Sequence, residues 1–183
     1  MNNKIWAPLG GWVGAVGLAV ALAFAVPHTT LILGKVPEVA VRSLDQRQLL
    51  LPQELPAGRT LAIVAFKRSQ REEVQSWIDG LQLQKETAFA WLRMPVFDLG
   101  DDARRTATEQ RLLARHTTEH ERARVVPVFT DREAFVRAAG LSGIEHASVL
   151  VLDRNGNILA KAEGPFDETK AQALRETVLA ASD

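Results

Sequence analysis

Leu61-Ala62-Ile63-Val64-Ala65-Phe66-Lys67-Arg68-Ser69-Gln70-Arg71-Glu72 changes its period in the middle. The first six residues are all apolar, as in a short strand covered on both faces of a sheet. Beyond Lys67 the apolar residues thin out and recur as Val74, Trp77, Ile78 and Leu81, the spacing of one helix face. Ser69 and Glu72 stand three apart, the spacing of a capping box, which places the helix start at Ser69. A buried strand leading directly into an amphipathic helix is a strand–helix unit, and the rest of the chain is read outward from it.

Downstream, the pattern repeats. A second strand covers roughly Phe89 to Phe97, and Asp101 and Asp102 cap a polar helix running to about Glu121. Val125 to Phe129 reads as a third strand. Thr130 and Glu133 form a capping box for a short helix through Phe135 and Val136, stopped by Gly140. Ser148 to Asp153 and Asn157 to Ala162 flank Arg154-Asn155-Gly156, and Asn-Gly between apolar runs signals a hairpin. Asp167 opens a last helix with Ala171, Leu174 and Val178 on one face. Strand–helix units followed by a hairpin and a closing helix predict an α/β domain with a mixed sheet flanked by helices on both faces. Phe66, Trp77 and Phe135 fall on its apolar periodicities and belong to the core.

Upstream, residues 27–58 carry Pro37, Pro52 and Pro56 and read as an extended lead-in with short edge strands at most. From Ile5 to Val26 no residue is charged, with Lys4 just before. That length suffices for a bilayer-spanning helix, and the flanking charge favours an N-in, C-out orientation. Ala23-Phe24-Ala25 also fits a signal-peptidase sequence, although the run exceeds the usual apolar region of a cleaved signal. A soluble buried helix is the third reading. Gly11, Ala15, Ala19 and Ala23 share one face of such a helix, and Gly10 and Gly14 form a small-residue pair beside it, the type of surface on which membrane helices associate. The expected organisation is an anchor or signal over 1–26, a lead-in over 27–58 and a folded domain over 59–183. The expected location is the inner membrane, single-pass with the domain facing the periplasm, or secreted after cleavage.

Composition narrows the chemistry. Among 183 residues there is no cysteine, so the chain has no disulfide, thiolate nucleophile or cysteine-held metal. Lys+Arg and Asp+Glu are 22 each, so no global field points to nucleic acid as a partner.

Four landmarks give the chain a resemblance to the thioredoxin-like superfamily, in its peroxiredoxin and periplasmic thiol-reductase branch. They are Gly34-Lys-Val-Pro37, Leu61 to Phe66, Val126-Pro-Val-Phe-Thr-Asp131, and Val149-Leu-Val-Leu-Asp-Arg-Asn-Gly-Asn-Ile158. A weaker resemblance, carried by the hairpin segment and Gln75-Ser-Trp-Ile-Asp-Gly80, is to the thioredoxin-like ATP synthase assembly factors of mitochondria. In the superfamily a catalytic cysteine follows the first strand and a cis-proline precedes the hairpin. Here those positions read Lys67-Arg68-Ser69-Gln70-Arg71 and Glu145-His146-Ala147-Ser148. A cis bond before a non-proline residue costs about 2.5–4 kcal/mol, so the second loop is expected to be trans. The resemblance therefore implies a relative kept for binding, with Lys67, Arg68, Ser69, Arg71, His146 and Ala147 around the altered cleft.

His116-Thr-Thr-Glu-His120 matches the inverted zincin pattern. On one helix, His116 and His120 would share a face and hold zinc while Glu119 activated water. The third ligand of such a site is missing from the pattern; the competing reading is a solvated helix among Arg111, Arg115, Glu121 and Arg122. Likewise Lys67, Arg68 and Arg71 read either as an anion site at a helix start or as a solvated loop balanced by Glu72 and Glu73. Ser43, Ser69 and Ser148 lie in no Gly-x-Ser-x-Gly sequence, and Ser69 is the expected helix cap. Asp153-Arg-Asn-Gly-Asn157 lacks calcium-loop spacing and reads as a turn. The leading expectation is a non-redox, membrane-tethered domain that needs no cofactor. It would bind an unidentified protein, in an envelope or respiratory complex, and no nucleic acid. The alternative is an enzyme with thiol-independent activity, such as a zinc hydrolase at His116, Glu119 and His120.

Overall fold

The computed structural model describes residues 31–180, and the apolar segment 5–26, with its expected membrane helix, cleavage sequence and association face, lies outside them. Among the described residues no helix is long and apolar enough to cross a membrane. The first elements are β1 (Val39–Arg42) and β2 (Gln48–Leu51), an antiparallel hairpin that forms a sheet of its own. Then follow β3 (Arg59–Ala65), α1 (Arg71–Gly80), β4 (Ala90–Phe97), α2 (Asp102–Arg115), α3 (Glu119–Ala123) and β5 (Val128–Phe129). The chain closes with α4 (Arg132–Ala138), β6 (Ser148–Asp153), β7 (Ile158–Glu163) and α5 (Glu168–Leu179).

Five strands make the main sheet in the order β5-β4-β3-β6-β7. β3, β4 and β5 run parallel, whereas β6 is antiparallel to β3 and β7 to β6, so the sheet is mixed. Period-two alternation along the continuous apolar run of β3 explains how one strand serves two cores. Ala62 and Val64 point to one face, with Met94 and Leu150, and meet Phe135 and Ala139 at the end of α4. Leu61 and Ile63 point to the other, with Val149 and Val151, and meet Trp77 of α1 and Leu174 of α5. The Trp77 indole is fully buried, donates to the Gly164 carbonyl at 2.8 Å and meets the Phe166 ring edge-on.

The lead-in is part of the first core. Val36, Val41, Leu51 and Leu55 are buried in it beside the residues of β3 and α4. Gly34 runs so close to α4 that a Cβ there would lie 2.5 Å from the Ala139 carbonyl oxygen, while its own carbonyl accepts from the Ile158 N–H at 2.9 Å. The turn before β7 is held by Asp153, whose carboxylate accepts from the N–H groups of Asn155 and Asn157, with Gly156 at φ +80°.

Three helix starts differ from expectation. Ser69 is not the cap of α1: a 3₁₀ turn, Arg68–Gln70, precedes the helix, and the Gln70 side chain reaches back to the N–H groups of Phe66 and Lys67. α4 is capped by Asp131 rather than Thr130, the Asp131 carboxylate accepting from the Ala134 N–H at 2.9 Å. The single polar helix expected over 102–121 is two helices, because Thr118 and Glu121 form a capping box that starts α3 afresh. The Arg122 Nε holds the break by donating to the His116 carbonyl at 2.8 Å.

Candidate binding site

Two loops meet where the sequence places the altered cleft. The first follows β3 and carries Lys67 to Arg71; the second precedes β6 and carries Glu145 to Ala147. Three polar ties stitch them together. The Gln70 side-chain oxygen Oε1 accepts from Phe66 N–H and Lys67 N–H at 2.7 and 2.9 Å, and Nε2 donates to the Ile144 carbonyl at 2.8 Å. Glu73 accepts from the Ala147 N–H at 2.7 Å and lies 2.9 Å from His146 Nδ1. Lys67 Nζ donates to both carboxylate oxygens of Glu145, at 2.6 and 2.7 Å, and these bonds hold the Glu145 carboxyl below its ordinary value. Leu51–Pro52 is the cis peptide bond of the described residues, so the Ala147–Ser148 bond is trans as expected.

Of the six cleft residues named from sequence, Ala147 is buried, His146 is engaged by Glu73 and Ser69 is exposed beside the others. Lys67, Arg68 and Arg71 also line a pocket of about 360 Å³ that opens toward α2 and includes no residue of the 145–147 loop. Its apolar lining is Ile63 of β3, Pro95 and Phe97 of β4, Val125 ahead of β5, Val74 of α1 and Leu112 of α2. Around that lining stand Arg93 from β4 and Arg111 and Arg115 from α2, facing Arg68 and Arg71 from the start of α1. No carboxylate lines the pocket, and among the described residues none of these five arginines forms an ion pair. Burial lowers the pKa of Arg93 and of Arg115, and Arg71 and Arg68 lower Arg115 further. Gathered like charge with no carboxylate in the lining works against the folded state and favours whatever anion relieves it.

The strand and helix that build this groove left marks in the sequence. Arg93 interrupts an otherwise apolar strand, Ala90-Trp-Leu-Arg-Met-Pro-Val-Phe97, and Arg111 and Arg115 stand four apart on one helix face. Neither was an expected site residue, because a charge inside one strand gains meaning only once the neighbouring helix is placed over it.

The zincin pattern loses its geometry. His116 closes α2 in an extended conformation at 7% exposure and lines the groove, whereas Glu119 and His120 belong to α3 and are exposed. The two histidines therefore do not share a helix face, and the reading of a solvated His116 fails as well. Burial, then the nearby Arg93, holds the His116 imidazole below its ordinary value. Among the described residues no three metal-ligating side chains cluster. Ser148 Oγ is buried without a partner, and Ser43 bonds to Asp45 and Arg47, so neither is set against a histidine.

No family model matches the sequence, and no curated protein matches it. Solved structures do resemble the fold. A protein from Aquifex aeolicus provisionally assigned to electron transport superposes with a TM-score of 0.57 at 13% identity, over 84% of this chain and 100% of that one. A thioredoxin-like superfamily protein gives 0.52 at 16% identity, over 81% and 98%. BsSco, a member of the Sco family of cytochrome c oxidase assembly proteins, gives 0.51 at 10% identity, over 79% and 91%. At such identities the likeness is one of fold. The chain has a thioredoxin-like fold and no cysteine.

Proposed function

We propose that this chain is a non-redox, membrane-tethered thioredoxin-like domain that binds a protein partner, in the assembly of an envelope or respiratory complex. The observation that carries the reading is the groove beside the position where the fold family keeps its thiol. There the loops are locked by Gln70 and Glu73, and unpaired arginines surround an apolar floor. The apolar stretch 5–26 supports a tether, which would raise the local concentration of the domain near membrane partners. The likeness in fold to a member of a cytochrome c oxidase assembly family supports an assembly role.

Co-purification of the full chain from detergent-solubilised native membranes tests the reading. Arg68→Glu/Arg71→Glu should lose the partner while the unfolding free energy stays within about 0.5 kcal/mol, as for surface changes elsewhere. Lys67 is left intact because its exchange would break the Glu145 tie. A partner retained in full by the folded variant would overturn the role of the groove.

A further inference from the structure

The groove has two cationic walls and an apolar floor, and that division constrains what it can hold. We infer that it takes an acidic peptide segment in which one bulky apolar side chain is flanked on both sides by carboxylates. The inference rests on the binding role proposed above and names the partner's chemistry.

α2 supplies the first reason. None of its 14 residues is buried, although Leu112 is turned toward the same pocket as Ile63, Pro95, Phe97 and Val125. A helix laid over a sheet ordinarily buries an apolar stripe against it. Here the space between helix and sheet stays open at about 360 Å³, within the range of small-ligand pockets. An aromatic or large aliphatic side chain entering it would add apolar contact to Leu112, Pro95 and Phe97.

Charge supplies the second. Arg68 and Arg71 stand on the α1 wall, Arg111 and Arg115 on the α2 wall, with the apolar floor between. A guanidinium pairs with a carboxylate through two parallel bonds, so two walls call for carboxylates on both sides of the apolar group. A compact phosphate fits less well. It would leave the apolar lining of Ile63, Pro95, Phe97 and Leu112 without an apolar partner.

The test uses the full chain in neutral detergent and dye-labelled, end-capped pentapeptides followed by fluorescence anisotropy. Glu-Glu-Trp-Glu-Glu should bind at least tenfold more tightly than Glu-Glu-Ser-Glu-Glu or Lys-Lys-Trp-Lys-Lys, and its affinity should fall as salt is raised. Arg71→Glu/Arg115→Glu should weaken it at least tenfold, and Leu112→Ser should weaken it while leaving the serine peptide unchanged. Should the double charge reversal fail to unfold cooperatively, Arg71→Gln/Arg115→Gln replaces it. Equal affinity for the serine peptide would overturn the inference in favour of charge alone. Binding of inorganic pyrophosphate, or of phosphatidylglycerol vesicles, in place of the tryptophan peptide would overturn it in favour of a phosphate ligand. No peptide binding, with the native partner still lost in Arg68→Glu/Arg71→Glu, would sink this inference and leave the proposed function standing. Peptide binding with a partner indifferent to that variant would sink the proposed function instead.

Discussion

Gln70 is 2% exposed, and its three hydrogen bonds join the end of β3, the following turn and the loop before β6. Removing it would leave the Phe66 N–H buried and unsatisfied, at a cost of about 1–3 kcal/mol. Gln70→Ala should therefore lower the unfolding free energy in urea by about 2 kcal/mol, far more than Ser69→Ala, whose exposed hydroxyl bonds to no other described residue. His116 gives a second prediction at this scale. Its folded pKa is depressed below the ordinary 6.5 by burial and Arg93. Its contribution is thus fully present above about pH 6.5, where both folded and unfolded histidine are neutral. It is lost as pH falls through the folded value, because the unfolded chain takes up the proton first. The urea midpoint should fall between about pH 7.5 and 5.5, and fall less in His116→Gln. Neither residue announced its role in the sequence. Gln70 acts backward to residues three and four before it and across to residue 144, and such contacts leave no periodic mark.

At the scale of elements, what was legible was what repeats. The apolar run of β3, the Trp77–Ile78–Leu81 face of α1, the Asn155-Gly156 turn and the Ala171–Leu174–Val178 face of α5 all stand where their spacing puts them. The break at His116 was harder to see, because 102–121 is polar throughout and its restart signal, Thr118 with Glu121, lies inside a stretch that also suits a continuous helix. The groove was legible only in part: Lys67, Arg68 and Arg71 come from one loop, but their counterparts Arg93, Arg111 and Arg115 are brought in by a crossover that sequence spacing does not measure. α2 carries its own prediction. Its Asp101 cap accepts from the Arg104 N–H at 2.8 Å, and caps of this kind contribute about 1 kcal/mol. Because no residue of α2 is fully buried, Asp101→Ala should speed amide exchange in α2 about fivefold while the global unfolding midpoint hardly moves.

At the scale of the whole molecule, the lead-in belongs to the fold. Val36, Val41, Leu51 and Leu55 complete the core that α4 covers on one face of the sheet, so a chain starting at residue 59 would expose that face. Residues 31–183 should unfold cooperatively in urea, whereas residues 59–183 should show no cooperative transition. Retention of a sharp transition by the shorter chain would show that the hairpin is an accessory. The charge layout has a separate consequence. Basic and acidic side chains number 22 each, yet six of the basic ones line the groove with no carboxylate among them. The remaining side chains are acidic by the same amount, so the groove is a local basic patch on a chain of no net charge. Such a molecule should be retained on a cation-exchange resin at a pH where its net charge is zero. It should also present that patch to an acidic surface as it approaches, and lose both behaviours as salt shortens the reach of the field.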